Sequence, residues 1–278
     1  PRSAQPGLLL VSDLDGTLAG CASSASAAPS NRDESLAALA EFNAAWCART
    51  ERTTAAGHCD AVLCYSTGRE LHSYVDLVKR LTAYGKTADR PIMQPNVLIT
   101  HAGTRIDWFD AASSSGAPRH DVAWESTMAA AWDAAHVRSV FAAAVAKRGV
   151  QGAVEGVERL KLAEGVSGDP FRYSVLVSDA ALAQTLCADI QAALDAEEPE
   201  RYGVFWCSGG PKSTFWLAAL PRLGGKGNAM EWVRRQLGVE RAATFVAGDA
   251  GNDIPMFSVD GVRGPPRPSR QREEVEEA

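Results

Sequence analysis

The chain has 278 residues, 46% of them hydrophobic and 22% charged, with a formal net charge of -6 at pH 7. That length is enough for one bulky domain or two modest ones, and the hydrophobic fraction argues against a disordered chain. The acidic balance, 28 Lys+Arg against 34 Asp+Glu, argues against a nucleic-acid binder, and no uninterrupted apolar run approaches the roughly 18 residues of a bilayer span.

In chain order, Leu8-Leu9-Leu10-Val11 reads as a short buried strand that runs into Ser12-Asp13-Leu14-Asp15-Gly16-Thr17. The Ala/Ser-rich stretch from Cys21 to Ser30 reads as a loop. Apolar residues at Leu36, Leu39, Phe42 and Trp46 predict an amphipathic helix over Glu34 to Cys47. A second strand, Ala61 to Tyr65, ends in Ser66-Thr67-Gly68-Arg69 and precedes a helix over Glu70 to Leu81. A third, Val97 to Thr100, ends in His101-Ala102-Gly103. Strands alternating with helices, each strand ending in polar residues, predict a parallel α/β sheet.

The character changes near Asp110. A loop-like stretch is followed by an Ala-rich helix over Trp124 to Lys147, strand-like runs at Val157–Leu162 and Tyr173–Val177, a helix from Asp179 as its cap to about Ala196, and a strand at Val204–Cys207. This reads as an α+β unit inserted into the parallel domain. After Pro221 the first pattern resumes: Gly224-Gly225-Lys226-Gly227 opens a helix to Leu237, and strand Thr244–Ala247 ends in Gly248-Asp249-Ala250-Gly251-Asn252-Asp253. The tail from Arg263, rich in Pro, Arg and Glu, reads as disordered. The expected division is a core of residues 1–110 and 219–262, an inserted unit of 111–218, and a tail of 263–278. None of the six cysteines forms a CxxC pair, and Cys64 and Cys207 sit in apolar runs as buried thiols would, which fits a reducing, cytoplasmic compartment.

Asp13-Leu14-Asp15-Gly16-Thr17, Ser66-Thr67-Gly68-Arg69, Lys226 and Gly248–Asp253 follow strands or open a helix, and ligands of open α/β sheets bind at the carboxyl ends of strands. Singly, each is an ordinary turn, loop or solvated lysine; together and in this order they point to one site. The set resembles the four motifs of the haloacid dehalogenase superfamily of phosphatases. A narrower similarity, to the plant and cyanobacterial sucrose-phosphate phosphatases, is carried by LLVSDLDGT, LAEFNAAW (39–46), YSTGR, CSGG (207–210), LPRLGGKGNA (220–229) and GDAGND, and covers residues 8 to 257. The resemblance implies a Rossmann-like parallel-sheet core with an inserted α+β cap of the C2 type.

The resemblance also implies roles. Asp13 would attack phosphorus to form an aspartyl-phosphate, and Asp15 would protonate the leaving oxygen and then activate water. Mg2+, a hard ion that prefers oxygen donors, would be held by Asp13, the main-chain carbonyl of Asp15, and Asp249, with Asn252 and Asp253 orienting that shell. Thr67 and Gly68 would bind phosphate oxygens, and Lys226 would neutralise charge on the nucleophile and the transferring phosphoryl group. Arg69 is expected to support its loop. His101 is expected to be structural, and Trp124, Trp132, Trp206 and Trp216 to be packing residues rather than sugar-stacking ones.

The implied partner is a small sugar phosphate, foremost sucrose 6-phosphate, with no nucleic acid and no membrane; association with sucrose-phosphate synthase is a further implication. Two alternatives stay open. One is a phosphatase of another sugar or compatible-solute phosphate such as mannosyl-phosphoglycerate, kept open by Ser213–Pro221, which carries no acid. The other is a non-catalytic regulatory module.

Overall fold

A computed structural model of the chain describes residues 6–20, 28–55, 61–84, 92–109, 118–148, 169–177, 179–207 and 215–258. The chain divides into two units, between Asp121 and Val122 and again between Gly225 and Lys226. The expected strand at 157–162, most of the loop expected from Cys21, the glycines of CSGG and the tail from Arg263 lie outside the described residues; Pro29 and Ser30, expected in that loop, begin a helix instead.

The first unit is a mixed α/β structure around a six-stranded sheet. Its strands are β1 (Leu8–Ser12), β2 (Ala61–Ser66), β3 (Val97–Thr100), β4 (Arg105–Trp108), β5 (Arg119–His120) and β9 (Thr244–Ala247), in the order β5-β4-β3-β2-β1-β9. β3, β2, β1 and β9 run parallel, while β4 and β5 add an antiparallel edge. The parallel strands are apolar because neighbours flank them on both sides: every residue of β2 and β3 is buried. Helix α1 (Pro29–Ala55) packs Leu39 and Trp46 into the core with Phe42 partly buried beside them, and α2 (Leu71–Tyr84) contributes Tyr74, Leu77 and Leu81. Both sets follow the i, i+3, i+7 spacing of one helix face.

β1 is flanked by β2 on one side and β9 on the other, so the crossovers leave it in opposite directions. This is the switch point at which open α/β sheets form ligand crevices. The register sets the end of β1 level with its neighbours, Ser12 opposite Tyr65 and Ala247.

The second unit contains a three-stranded antiparallel sheet, β6 (Tyr173–Val177), β8 (Phe215–Pro221) and β7 (Tyr202–Cys207), in the order β6-β8-β7. Its core joins Val175, Val177, Leu217 and Ala219 to α4 (Ala134–Lys147) and α5 (Ala180–Glu197), with Val137, Phe141, Leu186 and Ile190 fully or nearly fully buried. Asp179 caps α5 as expected, accepting from the Leu182 amide at 2.7 Å. Trp132 meets Tyr202 edge to face, and Trp206 meets Phe215 in the same way, both serving as packing residues.

The helix expected over Glu34 to Cys47 is longer, Pro29–Ala55, and other details also differ from the sequence reading. The helix expected over Trp124 to Lys147 is two helices, α3 (Val122–Ala131) and α4, because Asp133 accepts from the amides of Ala135 and His136 and starts a new one. The first unit extends through β4 and β5 to Asp121, beyond the expected boundary at 110, because those strands pair with the core sheet. β8 belongs whole to the second unit, since it pairs with β6 and β7, so that unit ends at Gly225 rather than at 218.

Candidate active site

The site is built at the carboxyl ends of β1, β2 and β9 in the first unit. Asp13 follows β1 and is 3% exposed. Its amide donates to the Ala247 carbonyl at 2.9 Å, which ties the loop after β1 to β9. Helix α6 (Lys226–Leu237) begins at Lys226, whose side chain is buried. Its ammonium donates to Asp13 Oδ1 at 2.7 Å and to Asp253 Oδ1 at 2.6 Å. The other oxygen of Asp253 accepts from the amides of Asp249 and Ala250 at 3.1 and 3.0 Å. Asp253 thus folds the loop after β9 around itself while sharing Lys226 with Asp13.

Asp249 completes the cluster. Its Oδ1 accepts from the Thr17 hydroxyl at 2.8 Å, so the first and last sequence motifs are joined directly. Asp13, Asp249 and Asp253 offer carboxylate oxygens within 4.8 Å of one another. Burial, chiefly, pushes the Asp13 carboxyl up to about 7; Lys226 opposes the shift and Asp253 adds to it. Burial also raises Asp249. Burial works against the charge on Lys226, but the two carboxylates beside it prevail and raise its proton affinity.

Three carboxylates around one ammonium leave an excess of negative charge, and all the donors are hard oxygens. Asn252 adds a buried side-chain oxygen with no hydrogen-bond partner among the described residues. An oxygen-preferring divalent cation with its bound waters fits such a donor set, offsetting the charge and supplying a donor to Asn252.

The second motif lies against the fourth: a Cβ built on Gly68 would approach the Asn252 amide nitrogen to 3.7 Å. The Thr67 amide donates to the Ile99 carbonyl at 2.9 Å, and the Thr67 hydroxyl oxygen accepts from the Arg69 amide at 3.1 Å. The loop is braced from behind by His101 and Ala102, whose amides donate to the carbonyls of Arg69 and Thr67 at 2.8 and 3.1 Å. Both residues have φ of +57°, a left-handed conformation that is costly for non-glycine residues and persists where the surroundings fix it. His101 is buried with Nδ1 3.2 Å from the Thr100 hydroxyl, a structural place.

All eight expected site residues belong to the first unit. Asp13, Lys226, Asp249 and Asp253 form the cluster, with Thr67, Gly68 and Asn252 on adjoining loops. The Asp15 carboxylate is not among the clustered ones and pairs with Arg69, whose Nε and Nη2 donate to it at 2.8 and 2.6 Å. Sequence reasoning assigned Arg69 to loop support and missed this pair. It also passed over Thr17, although that residue stands inside the first motif.

The sucrose-6F-phosphate phosphohydrolase family model matches residues 6–265. The chain is 27% identical over 265 residues to probable sucrose-phosphatase 1 of Arabidopsis thaliana, covering 94% of this chain and 51% of that protein. It is 26% identical over 263 residues to sucrose-phosphatase 1 of Nicotiana tabacum, covering 92% and 49%. The chain therefore spans about half the length of the curated relatives it matches. Among solved structures, the sucrose-phosphatase of Synechocystis sp. PCC6803, determined with sucrose and phosphate, aligns at a TM-score of 0.63 and 21% identity, over 98% of this chain and 88% of that one. The haloacid dehalogenase-like hydrolase yhjK of Bacillus subtilis aligns at 0.59 and 15%, over 99% and 86%. At these identities the likeness concerns the fold.

Proposed function

We propose, from the premise that the chain belongs to the sucrose-6F-phosphate phosphohydrolase family, that it hydrolyses a sugar phosphate, with sucrose 6-phosphate the leading substrate. The observation that carries the reading is Asp13, a buried carboxylate at the end of β1, held by Lys226 and set beside two further carboxylates.

Asp13 attacks phosphorus with one carboxylate oxygen while the bond to the sugar oxygen breaks, its electron pair going to that oxygen. Asp15 gives the leaving oxygen a proton. In the second half, Asp15 takes a proton from the water that displaces Asp13 and frees phosphate, returning both carboxylates to their starting forms. Lys226 fixes the attacking carboxylate and stabilises charge on the transferring group. Thr67 and Gly68 hold phosphate oxygens. Asp13 and Asp249, with the main-chain carbonyl of Asp15, would hold Mg2+, with Asn252 and Asp253 orienting that shell. When bound, the ion screens the phosphate charge that repels a carboxylate nucleophile. The inserted second unit is read as the cap, the part that discriminates the sugar.

The test is phosphate release by purified protein with and without Mg2+ on sucrose 6-phosphate, fructose 6-phosphate, glucose 6-phosphate and mannosyl-phosphoglycerate, with Asp13→Ala as control. The expected result is Mg2+-dependent release, strongest for sucrose 6-phosphate and absent in the variant. Preference for another ester keeps the chemistry and moves the substrate. Release from none overturns the enzymatic reading.

A further inference from the structure

The Asp15 side chain is 38% exposed, yet it is held by three contacts from one guanidinium: Nε lies 3.1 and 2.8 Å from its two oxygens, and Nη2 lies 2.6 Å from Oδ1. Arg69 is itself anchored. Its Nη1 donates to the Ser73 hydroxyl at 2.9 Å in the first turn of α2, its amide donates to Thr67, and its carbonyl accepts from His101. The residue thus joins the loop expected to hold phosphate to the carboxylate expected to move the proton.

A half-exposed ion pair contributes little to stability, since solvent screens it and two side chains lose freedom. What a forked, planar guanidinium adds is direction: it fixes both oxygens of a carboxylate where a lysine would supply only charge. Proton transfer to a leaving oxygen depends on such placement to within a fraction of an ångström.

We propose that Arg69, held by Ser73, is a positioning residue for Asp15, setting the carboxylate for proton transfer to and from the reacting oxygens. The proposal rests on the reading of Asp15 given above.

The test compares two leaving groups on the full chain with Mg2+. A sugar alkoxide needs a proton as it departs, whereas p-nitrophenolate departs without one. Steady-state rates are measured for wild type, Arg69→Gln, Arg69→Lys and Ser73→Ala on the sugar phosphate preferred by wild type and on p-nitrophenyl phosphate. For Arg69→Gln, kcat/KM, which reports the steps up to departure of the leaving oxygen, should fall by about 100-fold on the sugar phosphate and by less than about 5-fold on the aryl ester, while kcat, which includes the water step that both esters share, should fall on both. Arg69→Lys should recover part of the loss, and Ser73→Ala, a mild change at a helix start, should show a smaller loss with the same leaving-group bias. Equal losses of kcat/KM on both esters, or an effect confined to KM, would overturn the proposal, the latter making Arg69 a substrate ligand. A wild type inert on every ester would instead remove the phosphatase reading, and this proposal with it.

Discussion

A Cβ on Gly16 would stand 2.2 Å from Oδ2 of Asp249, well inside van der Waals contact. Gly16 also has φ of +78°, where any side chain is strained by about 1 kcal/mol. The turn after the first motif and the acid of the last are therefore fitted to one another across the sheet edge. Asp249 cannot swing aside freely, because Thr17 holds its other oxygen. Gly16→Ala should displace the Asp249 carboxylate, lower activity by roughly 10- to 100-fold, and weaken Mg2+ binding. Titration calorimetry with Mg2+ alone, beside an activity assay, checks this; unchanged Mg2+ affinity would sink the idea that Gly16 makes room for the acid.

The cluster of Asp13, Asp249 and Asp253 should be stabilised by the ion it fits. A ligand that binds only the folded chain raises stability by about 2.7 kcal/mol at a hundred times its dissociation constant. Millimolar Mg2+ should raise the melting temperature of wild type, EDTA should reverse the rise, and Asp249→Asn should abolish it. A rise of the same size in Asp249→Asn would place the ion elsewhere.

The four motifs were legible because each is local, and a parallel sheet delivers successive strand ends to one edge. What was not legible depends on contacts across the chain. Arg69 reaches Asp15 over 54 residues, and nothing in the second motif alone reveals its target. Strand β4 alternates charge with bulk, and its Asp107 is 1% exposed only because Arg105 and His120 both meet it, His120 from a strand 13 residues on. In β8 the run from Leu217 to Pro221 is buried throughout, so it lacks the alternation that marks a half-buried strand. The Ala-rich stretch around Trp132 keeps helical composition through a break that only the cap at Asp133 creates.

Lys226 offsets two buried carboxylates at once, and removing it leaves Asp13 and Asp253 without their shared donor. Lys226→Met keeps the length of the side chain and deletes the charge. Breaking a buried ion pair from one side costs about 3–5 kcal/mol, and activity should fall by about 1,000-fold or more. Urea unfolding in EDTA reads the first effect. Adding Asp13→Asn to Lys226→Met should return part of the lost stability, because it removes one of the stranded charges. Strictly additive losses would contradict the assigned pairing.

Glu231, on α6, gathers three arginines: Arg234 at 2.7 Å, Arg235 at 2.9 Å and Arg241 at 3.2 Å. The hydrogen bond from Arg234 is the largest cause that holds its carboxyl down at about 2, against an ordinary 4.5; burial opposes it and the other two arginines add to it. A carboxyl lowered in the folded state stabilises the fold above its unfolded value, and that contribution is lost as pH falls toward the folded one. Two of the three arginines are largely exposed, so screening reduces the effect, and Glu231→Gln should cost only about 1 kcal/mol at pH 7. The gap between variant and wild type should hold steady from pH 7 to about pH 5 and narrow below about 4.5 as the unfolded carboxylate takes up its proton. Denaturant unfolding of both proteins at pH 7, 5, 4 and 3.5 measures it. A gap that widens on acidification would mean that Glu231 supports the helix through packing rather than through charge.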